Sequence, residues 1–298
     1  MHKLLLLLVV AGFAACQPAP PSGQDATKPA PASTVIKNES LEDLLARQPQ
    51  DMQARYIYRH PRETLEFFEV GPGMTVVEAL PGGGWYSKLL LPYLGSEGHL
   101  IGADYAIEMF PLFGFFSEEF VEGKKTWIAD WTADAEEWRD AGSAPVSAFV
   151  FGSMPDDIAG TADRVLFIRA LHNLNRFENE GAYLTSALAD AYRALKPGGI
   201  LGIVQHRARE DRPDDWSIGD HGYLKQSLVI DAVTKAGFEF IADNDLNANP
   251  KDQPGDDDVV WRLPPTLQSS RDSNDGLRAR MEAIGESNRM TLKFRKPL

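Results

Sequence analysis

A cluster of three glycines between an apolar strand and an apolar helix constrains this chain more than any other feature. Residues 74–77 have the composition of a short buried strand, Glu78 follows, and Gly82, Gly83 and Gly84 precede a leucine-rich helical run. Glycine permits positive φ and lets another molecule approach the backbone closely. The free N–H groups at the helix start can bind polar or anionic parts of a ligand. The pattern predicts a βα unit with a ligand-binding turn.

A second predicted strand ends in an acid at a suitable distance from this turn. Residues 99–103 form the strand and Asp104 closes it, about twenty residues after Gly84. In nucleotide-binding α/β folds, an acid at the end of the second strand accepts hydrogen bonds from ribose hydroxyls. Asp104 is therefore a candidate ribose ligand.

Three further apolar stretches predict parallel strands, and polar residues follow each of them. The stretches span residues 146–151, 164–168 and 200–204. The polar residues at their ends are Ser153, Arg169, His172, Asn173 and His206. In an open α/β sheet, ligands bind at the edge formed by the carboxyl ends of the strands. We therefore expect these side chains to lie near the glycine turn.

An aromatic segment follows Asp104 and has two interpretations. It contains Phe110, Phe113, Phe115, Phe116 and Phe120, and three tryptophans come after it. The residues either belong to helices that pack on the sheet, or form an apolar wall that contacts substrate or a membrane surface.

The first 16 residues have the layout of a secretory leader. Lys3 precedes an apolar run over residues 4–10, which is shorter than the roughly 20 residues of a membrane span. Ala14 and Ala15 precede Cys16, an arrangement that resembles the bacterial lipoprotein box. Because Cys16 is the only cysteine, no disulfide can form within the chain. We expect export to the periplasm and lipid attachment at Cys16, with simple secretion or a cytoplasmic location as the alternatives.

Composition divides the remainder into a tether and one domain. Residues 17–37 are rich in Pro, Ala, Ser and Thr and cannot bury enough apolar surface to fold. Residues 38–298 suffice for one large α/β domain. The chain has 43 acidic and 30 basic residues and a net charge of −13. That balance argues against a nucleic-acid partner, because phosphate binding requires a basic surface. The oligomeric state stays open.

The glycine region resembles that of the class I S-adenosyl-L-methionine (SAM)-dependent methyltransferases. Their loop usually reads acid-x-Gly-x-Gly-x-Gly; Glu78, Gly82 and Gly84 match it, and Leu80 replaces the first glycine. The resemblance implies a Rossmann-like, doubly wound α/β fold with a mostly parallel seven-stranded sheet and an antiparallel C-terminal edge strand. It also implies SAM as cofactor. The residues expected to contact the cofactor are Glu78, Pro81, Gly82, Gly83, Gly84, Asp104 and, near the adenine ring, Ser153.

The similarity extends along most of the domain. Residues 59–61, 81–86, 169–173, 195–199, 206–208 and 292–297 are together similar to a family of bacterial predicted methyltransferases, many of which carry export signals. The family has no general acceptor assignment. The resemblance implies a methyltransferase that acts on a small-molecule acceptor of unknown identity.

Methyl transfer from a sulfonium is an in-line displacement, so positioning and exclusion of water can do much of the catalysis. A base is needed only if the nucleophile must lose a proton, and histidine suits neutral pH. His172 and His206 are the candidates, with Arg169 and Asn173 orienting an acidic or carbonyl-bearing acceptor. Each histidine has an alternative role as a hydrogen-bonded structural residue. The sequence lacks an HExxH motif, and we expect no metal.

Export conflicts with the cofactor, because SAM is made in the cytoplasm. Three interpretations follow. The protein is a methyltransferase with access to SAM, a module of the same fold that binds another small ligand, or a non-catalytic envelope lipoprotein that uses the fold as a scaffold.

Overall fold

The computed structural model describes residues 40–271 and 275–298. The predicted leader, its lipidation site Cys16 and the tether over residues 17–37 lie outside the described residues. Within them, no helix is both long and apolar enough to cross a membrane.

One twisted sheet of eight strands organises the described domain. The strands are β1 (Thr75–Ala79), β2 (His99–Asp104), β3 (Val146–Val150), β4 (Ala162–Ile168), β5 (Leu195–Ala208), β6 (Leu224–Lys225), β7 (Glu239–Asn244) and β8 (Arg289–Arg295). Their order is β3-β2-β1-β4-β5-β8-β7, and β6 pairs with β5 outside this path. The pairings from β3 to β5 are parallel, whereas β8 is antiparallel to both neighbours. The chain has a Rossmann-like, mostly parallel α/β fold, as predicted.

Helices connect the strands and cover both faces of the sheet. They are α1 (Leu41–Ala46), α2 (Gln50–Gln53), α3 (Tyr56–Arg59), α4 (Pro61–Phe67), α5 (Ser87–Leu94), α6 (Glu118–Gly123), α7 (Trp127–Glu137), α8 (Leu171–Arg176), α9 (Glu178–Gly181), α10 (Tyr183–Ala194), α11 (Gln226–Lys235) and α12 (Asp275–Ile284). The N-terminal region of the domain thus consists of four short helices. Pro49 and Pro61 each stand where a helix begins, because proline fixes φ and lacks an N–H.

Two apolar cores result from the alternation of side chains along the strands. Val76 and Leu100 face one core, whereas Val77 and Ile101 face the other. The first core is covered by α1, α4, α5 and α7, and the second by α8, α10 and α11. Because both faces are covered, the parallel strands are apolar along most of their length rather than alternating.

The C-terminal strand is antiparallel, as predicted, but it does not lie at the edge. β8 pairs with β5 on one side and with β7 on the other, so β7 forms the edge. Its alternating sequence suggested half exposure. In the fold its polar Lys293 and Arg295 instead form ion pairs with Glu69 and Glu239, and most of the strand is buried.

β5 is longer than the predicted strand over residues 200–204. It continues to Ala208 because β8 pairs with it as far as His206, which lies opposite Arg289. His206 was expected just beyond the strand end; it lies within the strand, near its carboxyl end.

Candidate active site

The turn after β1 has the backbone conformation that its glycines require. Leu80, Gly82 and Gly84 all have positive φ, of 54°, 54° and 76°. The Leu80 N–H donates a hydrogen bond to the carbonyl of Ala103, which ties the turn to β2. Leu80 therefore replaces the family's first glycine while keeping a left-handed backbone, at the steric cost that a side chain incurs there.

The middle of this turn is open on one side. A Cβ atom placed on Gly83 would meet no other atom within 4 Å, and one on Gly82 would meet only the Leu80 carbonyl oxygen, at 3.9 Å. Within the described part of the chain, the amide groups of Gly82 and Gly83 donate to no protein acceptor. Two free N–H groups beside open space can bind a polar ligand atom.

The last glycine of the turn is covered by the protein itself. A Cβ atom on Gly84 would lie 2.3 Å from the indole ring of Trp138, which follows α7. The Lys88 ammonium in turn lies 4.7 Å from the centre of that ring. Gly84 is required here by close packing as well as by its positive φ.

Glu78 is buried beneath the turn. Its Oε2 atom accepts a hydrogen bond of 2.6 Å from the hydroxyl of Ser87, the first residue of α5. Burial raises the pKa of Glu78 to about 7, and the Ser87 hydrogen bond only partly opposes that shift. This carboxyl connects β1 to α5, and neither of the two cavities described below is lined by it.

Asp104 has two partners within the protein. Its Oδ1 atom accepts the N–H of Tyr105 at 2.8 Å, and its Oδ2 atom lies 2.9 Å from the Lys124 ammonium. That ammonium also lies 4.7 Å from the centre of the Phe110 ring, a cation–π contact. The carboxylate expected to bind ribose is thus at the predicted strand end, where it is buried and already paired with a lysine.

The two remaining residues predicted to contact the cofactor are Pro81, which is buried in the glycine turn, and Ser153, which is exposed after β3. Pro81 is buried, and its carbonyl accepts the Gly84 N–H at 2.9 Å, so that it shapes the turn. Ser153 is exposed on the turn after β3, where its N–H bonds the Val150 carbonyl. It lines neither cavity.

All four predicted catalytic residues line one cavity. This polar cavity, of about 290 Å³, is bordered by Arg169, His172, Asn173 and His206. Leu80 also lines it, so it adjoins the glycine turn. The remaining lining comes mainly from residues 260–266 and from Glu286 and Ser287.

The two histidines are buried and held by hydrogen bonds. His172 Nδ1 lies 3.4 Å from the Gln205 side-chain oxygen, and His206 Nδ1 lies 2.6 Å from the Ser287 hydroxyl. Burial lowers the pKa of His172 to about 4, and the charge of Arg169 adds to the effect. Burial, followed by the neighbouring His172 and Arg169, lowers the pKa of His206 well below its usual value. Both rings are therefore neutral at pH 7 and are weak proton acceptors.

Arg169 and Asn173 leave polar atoms without partners in this cavity. Arg169 has a positive φ of 61° directly after β4, and its Nε atom is buried without a hydrogen bond. Asn173 donates to the Tyr105 hydroxyl at 3.2 Å, whereas its Oδ1 atom has no partner. A buried polar atom without a partner is costly, and both residues line the cavity, so a ligand there would find incompletely paired side chains.

An aromatic cavity lies beside the polar cavity. It measures about 560 Å³ and is lined mainly by Tyr105, Phe110, Phe113, Phe115 and Phe116. Asn173 and Trp261 line both cavities, which makes them neighbours. The phenylalanines pack on one another, and several also border open space, which favours the predicted apolar wall over simple core packing.

Sequence reasoning missed the groups that complete the polar cavity. Glu286 contacts four arginines, and residues 260–266 close one side of the cavity. These segments lie far along the chain from the strand ends and carry no motif. Over the described ranges, no group of His, Cys, Asp or Glu is arranged to hold a metal ion.

No protein-family model matches the sequence, and no curated protein does either. Among solved structures, the chain is similar to the [4+2]-cyclase SpnF, with a TM-score of 0.50, 16% identity and coverage of 80% of each chain. It is also similar to geranyl diphosphate C-methyltransferase from Streptomyces coelicolor A3(2), with a TM-score of 0.49, 14% identity and coverage of 80% of this chain and 75% of that one. A SAM dependent methyltransferase from Aquifex aeolicus gives a TM-score of 0.43, 17% identity and coverage of 69% and 92%. At these identities the likenesses show the fold alone.

Proposed function

We propose that the protein is a SAM-dependent methyltransferase that acts on a small-molecule acceptor. One observation carries the proposal. The left-handed glycine turn and Asp104 lie at the carboxyl edge of the sheet, and Leu80 of that turn also borders the cavity that holds Arg169, His172 and His206. A cofactor on the turn would therefore face an acceptor in the cavity.

The groups after β1 and at the end of β2 are of the chemical types that bind a nucleoside cofactor. Gly82 and Gly83 offer free amides beside open space, and Asp104 offers a carboxylate to the ribose hydroxyls once Lys124 moves aside. SAM, when bound, supplies an electrophilic methyl group. Positioning of the two reactants at this edge of the sheet would supply much of the catalysis.

The polar cavity orients the acceptor more than it removes a proton from it. His172, with a pKa of about 4, is mostly unprotonated near neutral pH but too weak to be an efficient general base. A nucleophile that already carries negative charge needs no base, and the Arg169 guanidinium would stabilise such a group. His172 and His206 serve as neutral hydrogen-bonding groups on this account.

Calorimetric titration of the purified full chain with SAM and with S-adenosylhomocysteine tests the proposal. We expect saturable, one-to-one binding of both. An absence of binding at millimolar ligand would overturn the methyltransferase assignment.

A second candidate is a non-catalytic or other-ligand-binding envelope protein. The Lys124–Asp104 ion pair favours it, because the carboxylate expected to bind ribose already has a charged partner within the protein. SpnF, one of the similar structures, is a [4+2]-cyclase, in keeping with the general rule that one fold supports several functions. Under this candidate the chain does not bind SAM, although the polar cavity can still bind a ligand.

We further propose export and lipid anchoring at Cys16, because Ala14 and Ala15 precede this cysteine in the manner of the bacterial lipoprotein box. Labelling of bacterial cells with radioactive palmitate should mark the wild-type protein and leave Cys16→Ser unmarked. Equal labelling of both would refute the anchor. A labelled protein would make access to SAM outside the cytoplasm the next question.

A further inference from the structure

We infer that the polar and aromatic cavities together bind one amphipathic anion, with its carboxylate or phosphate head on Arg169 and its apolar body among the phenylalanines. The inference deepens the proposed function in that it assigns the chemical class of the acceptor. Its physical basis is an excess of partly buried positive charge beside one cavity and aromatic surface around the neighbouring cavity.

The positive charge comes from four arginines around one carboxylate. Arg59 Nε and Arg289 Nη1 each lie 3.1 Å from a Glu286 oxygen, Arg169 Nη1 lies 3.9 Å away, and Arg55 also forms an ion pair with Glu286. Among the described residues, these four arginines form ion pairs with no other carboxylate. One negative charge against four positive charges leaves an excess of three.

Burial affects two of these arginines and the carboxylate, whereas the side chains of Arg55 and Arg169 are 22% and 26% exposed. Arg59, Arg289 and Glu286 are all at most 4% exposed. The pKa of Arg59 falls to about 10 through burial and through repulsion from Arg169. Burial alone would raise the pKa of Glu286, but the surrounding arginines hold it below its usual value. Uncompensated buried charge is costly, so an anion that enters the cluster gains strong electrostatic stabilisation.

Arg169 is the arginine of this cluster that borders the polar cavity. Its contact with Glu286 is the longest of the four, its side chain is 26% exposed, and its Nε atom has no partner. A guanidinium with free donors binds carboxylate or phosphate through paired hydrogen bonds. The head group of the ligand therefore belongs beside Arg169.

The aromatic cavity indicates that the remainder of the ligand is apolar. Its volume of about 560 Å³ falls in the range of small-molecule sites, and its lining is mainly aromatic. Phe115 is 71% exposed, an unusual position for a phenylalanine unless something covers it. Asn173 and Trp261 line both cavities, so a chain or ring attached to the head can extend from one into the other.

Calorimetry on the full chain without SAM tests this inference, with dodecanoate, dodecyl phosphate, 1-dodecanol and acetate as probes. The two amphipathic anions are used below their micellar concentrations and 1-dodecanol below its solubility limit. We expect the better of the two amphipathic anions to bind at least about tenfold more tightly than 1-dodecanol, because one charged hydrogen-bonded contact contributes about 1.5–3 kcal/mol. The tighter of the two identifies the head group. Acetate should bind more weakly still, because it lacks the apolar body. Binding of the alcohol as tight as that of both anions would overturn the inference.

Two variants test separately where the charged head and the apolar body of the ligand bind. Arg169→Gln should abolish the preference for the anion over the alcohol, and Phe113→Ala should weaken dodecanoate and 1-dodecanol alike. Arg295→Gln is the matched control, since Arg295 is an exposed arginine that pairs with Glu239 outside both cavities. A preference that survives in a folded Arg169→Gln protein would contradict the assignment. Because SAM is absent, failure here is distinct from failure of SAM to bind.

Discussion

The two halves of the carboxyl edge differ in how far their polar groups are already satisfied. At β1 and β2, Glu78 is bonded to Ser87, Asp104 to Lys124, and Gly84 is covered by Trp138. At β4 and β5, Arg169 and Asn173 retain unpartnered atoms beside an open cavity. The half with the recognisable motif thus has its two carboxylates paired, and its open groups are the backbone amides of Gly82 and Gly83. The half without a motif is preformed for a ligand.

This difference suggests a division of roles. On the cofactor side, a ligand would compete with Lys124 for Asp104, and such competition costs affinity. Binding on the acceptor side satisfies atoms that are otherwise unpaired, which adds affinity. The following variants test each half separately.

Loss of the β2 carboxylate should have the largest effect. Asp104→Ala removes two potential hydrogen bonds from a charged group to ribose, so we expect SAM affinity to fall by about 100-fold or more. Titration calorimetry measures the change. Asp231→Ala is the control, because Asp231 is an exposed partner of Lys235 on α11. Unchanged SAM binding in Asp104→Ala would remove this residue from the cofactor site.

The buried carboxyl beneath the turn should appear in the pH dependence of stability. The pKa of Glu78 is raised from 4.5 to about 7, so the folded state holds the extra proton between these values. Stability from this group is therefore complete below pH 4.5 and is lost as pH rises through 7, by up to about 3 kcal/mol. The Glu78→Gln variant should not lose stability in this way, because glutamine does not ionise.

Urea unfolding of the wild type and Glu78→Gln from pH 4.5 to 8 measures this effect. We expect the variant to gain stability relative to the wild type up to about pH 7, and the difference to stay level above it. The lowered pKa values of His172 and His206 act in the opposite direction below pH 6.5, but both proteins share them, so they cancel in the difference. Parallel stability curves would show that Glu78 ionises normally.

On the acceptor side, His172→Ala should lower turnover by about tenfold and leave SAM affinity unchanged, since a neutral hydrogen bond contributes on the order of 1 kcal/mol. Steady-state kinetics with an identified acceptor, together with SAM calorimetry, separates the two quantities. Loss of SAM affinity in this variant would mean that the halves are not independent. The wild-type rate should also lack a histidine titration between pH 6 and 8, because the His172 pKa is about 4.

The smallest change in SAM affinity should come from substitution of Lys124, which forms an ion pair with Asp104. Lys124→Met removes the ion pair and keeps an apolar chain over Phe110, so we expect SAM affinity to rise by about fivefold. Lys125→Met is the control, because Lys125 pairs with exposed Glu122 instead. A decrease in affinity would show that Lys124 contacts the cofactor rather than competing with it.

Local patterns predicted most of the sheet. The apolar stretches over residues 146–151 and 164–168 are β3 and β4, and the segment from Trp127 is helical as expected. Strands buried on both faces must be apolar, so their positions can be read from composition. The position of β8 between β5 and β7 could not be read in this way. Strand order depends on pairing between residues that are distant in the chain.

By itself, the sequence determined the glycine turn, the acid after β2 and the grouping of Arg169, His172, Asn173 and His206 at one edge. Parallel strands of known direction are enough to place strand-end residues together. Three contacts could be seen only in the tertiary structure. Lys124 forms an ion pair with Asp104, Trp138 covers Gly84, and four arginines surround Glu286. These contacts join segments without fixed spacing, and their energies depend on burial, which exists only in the folded chain.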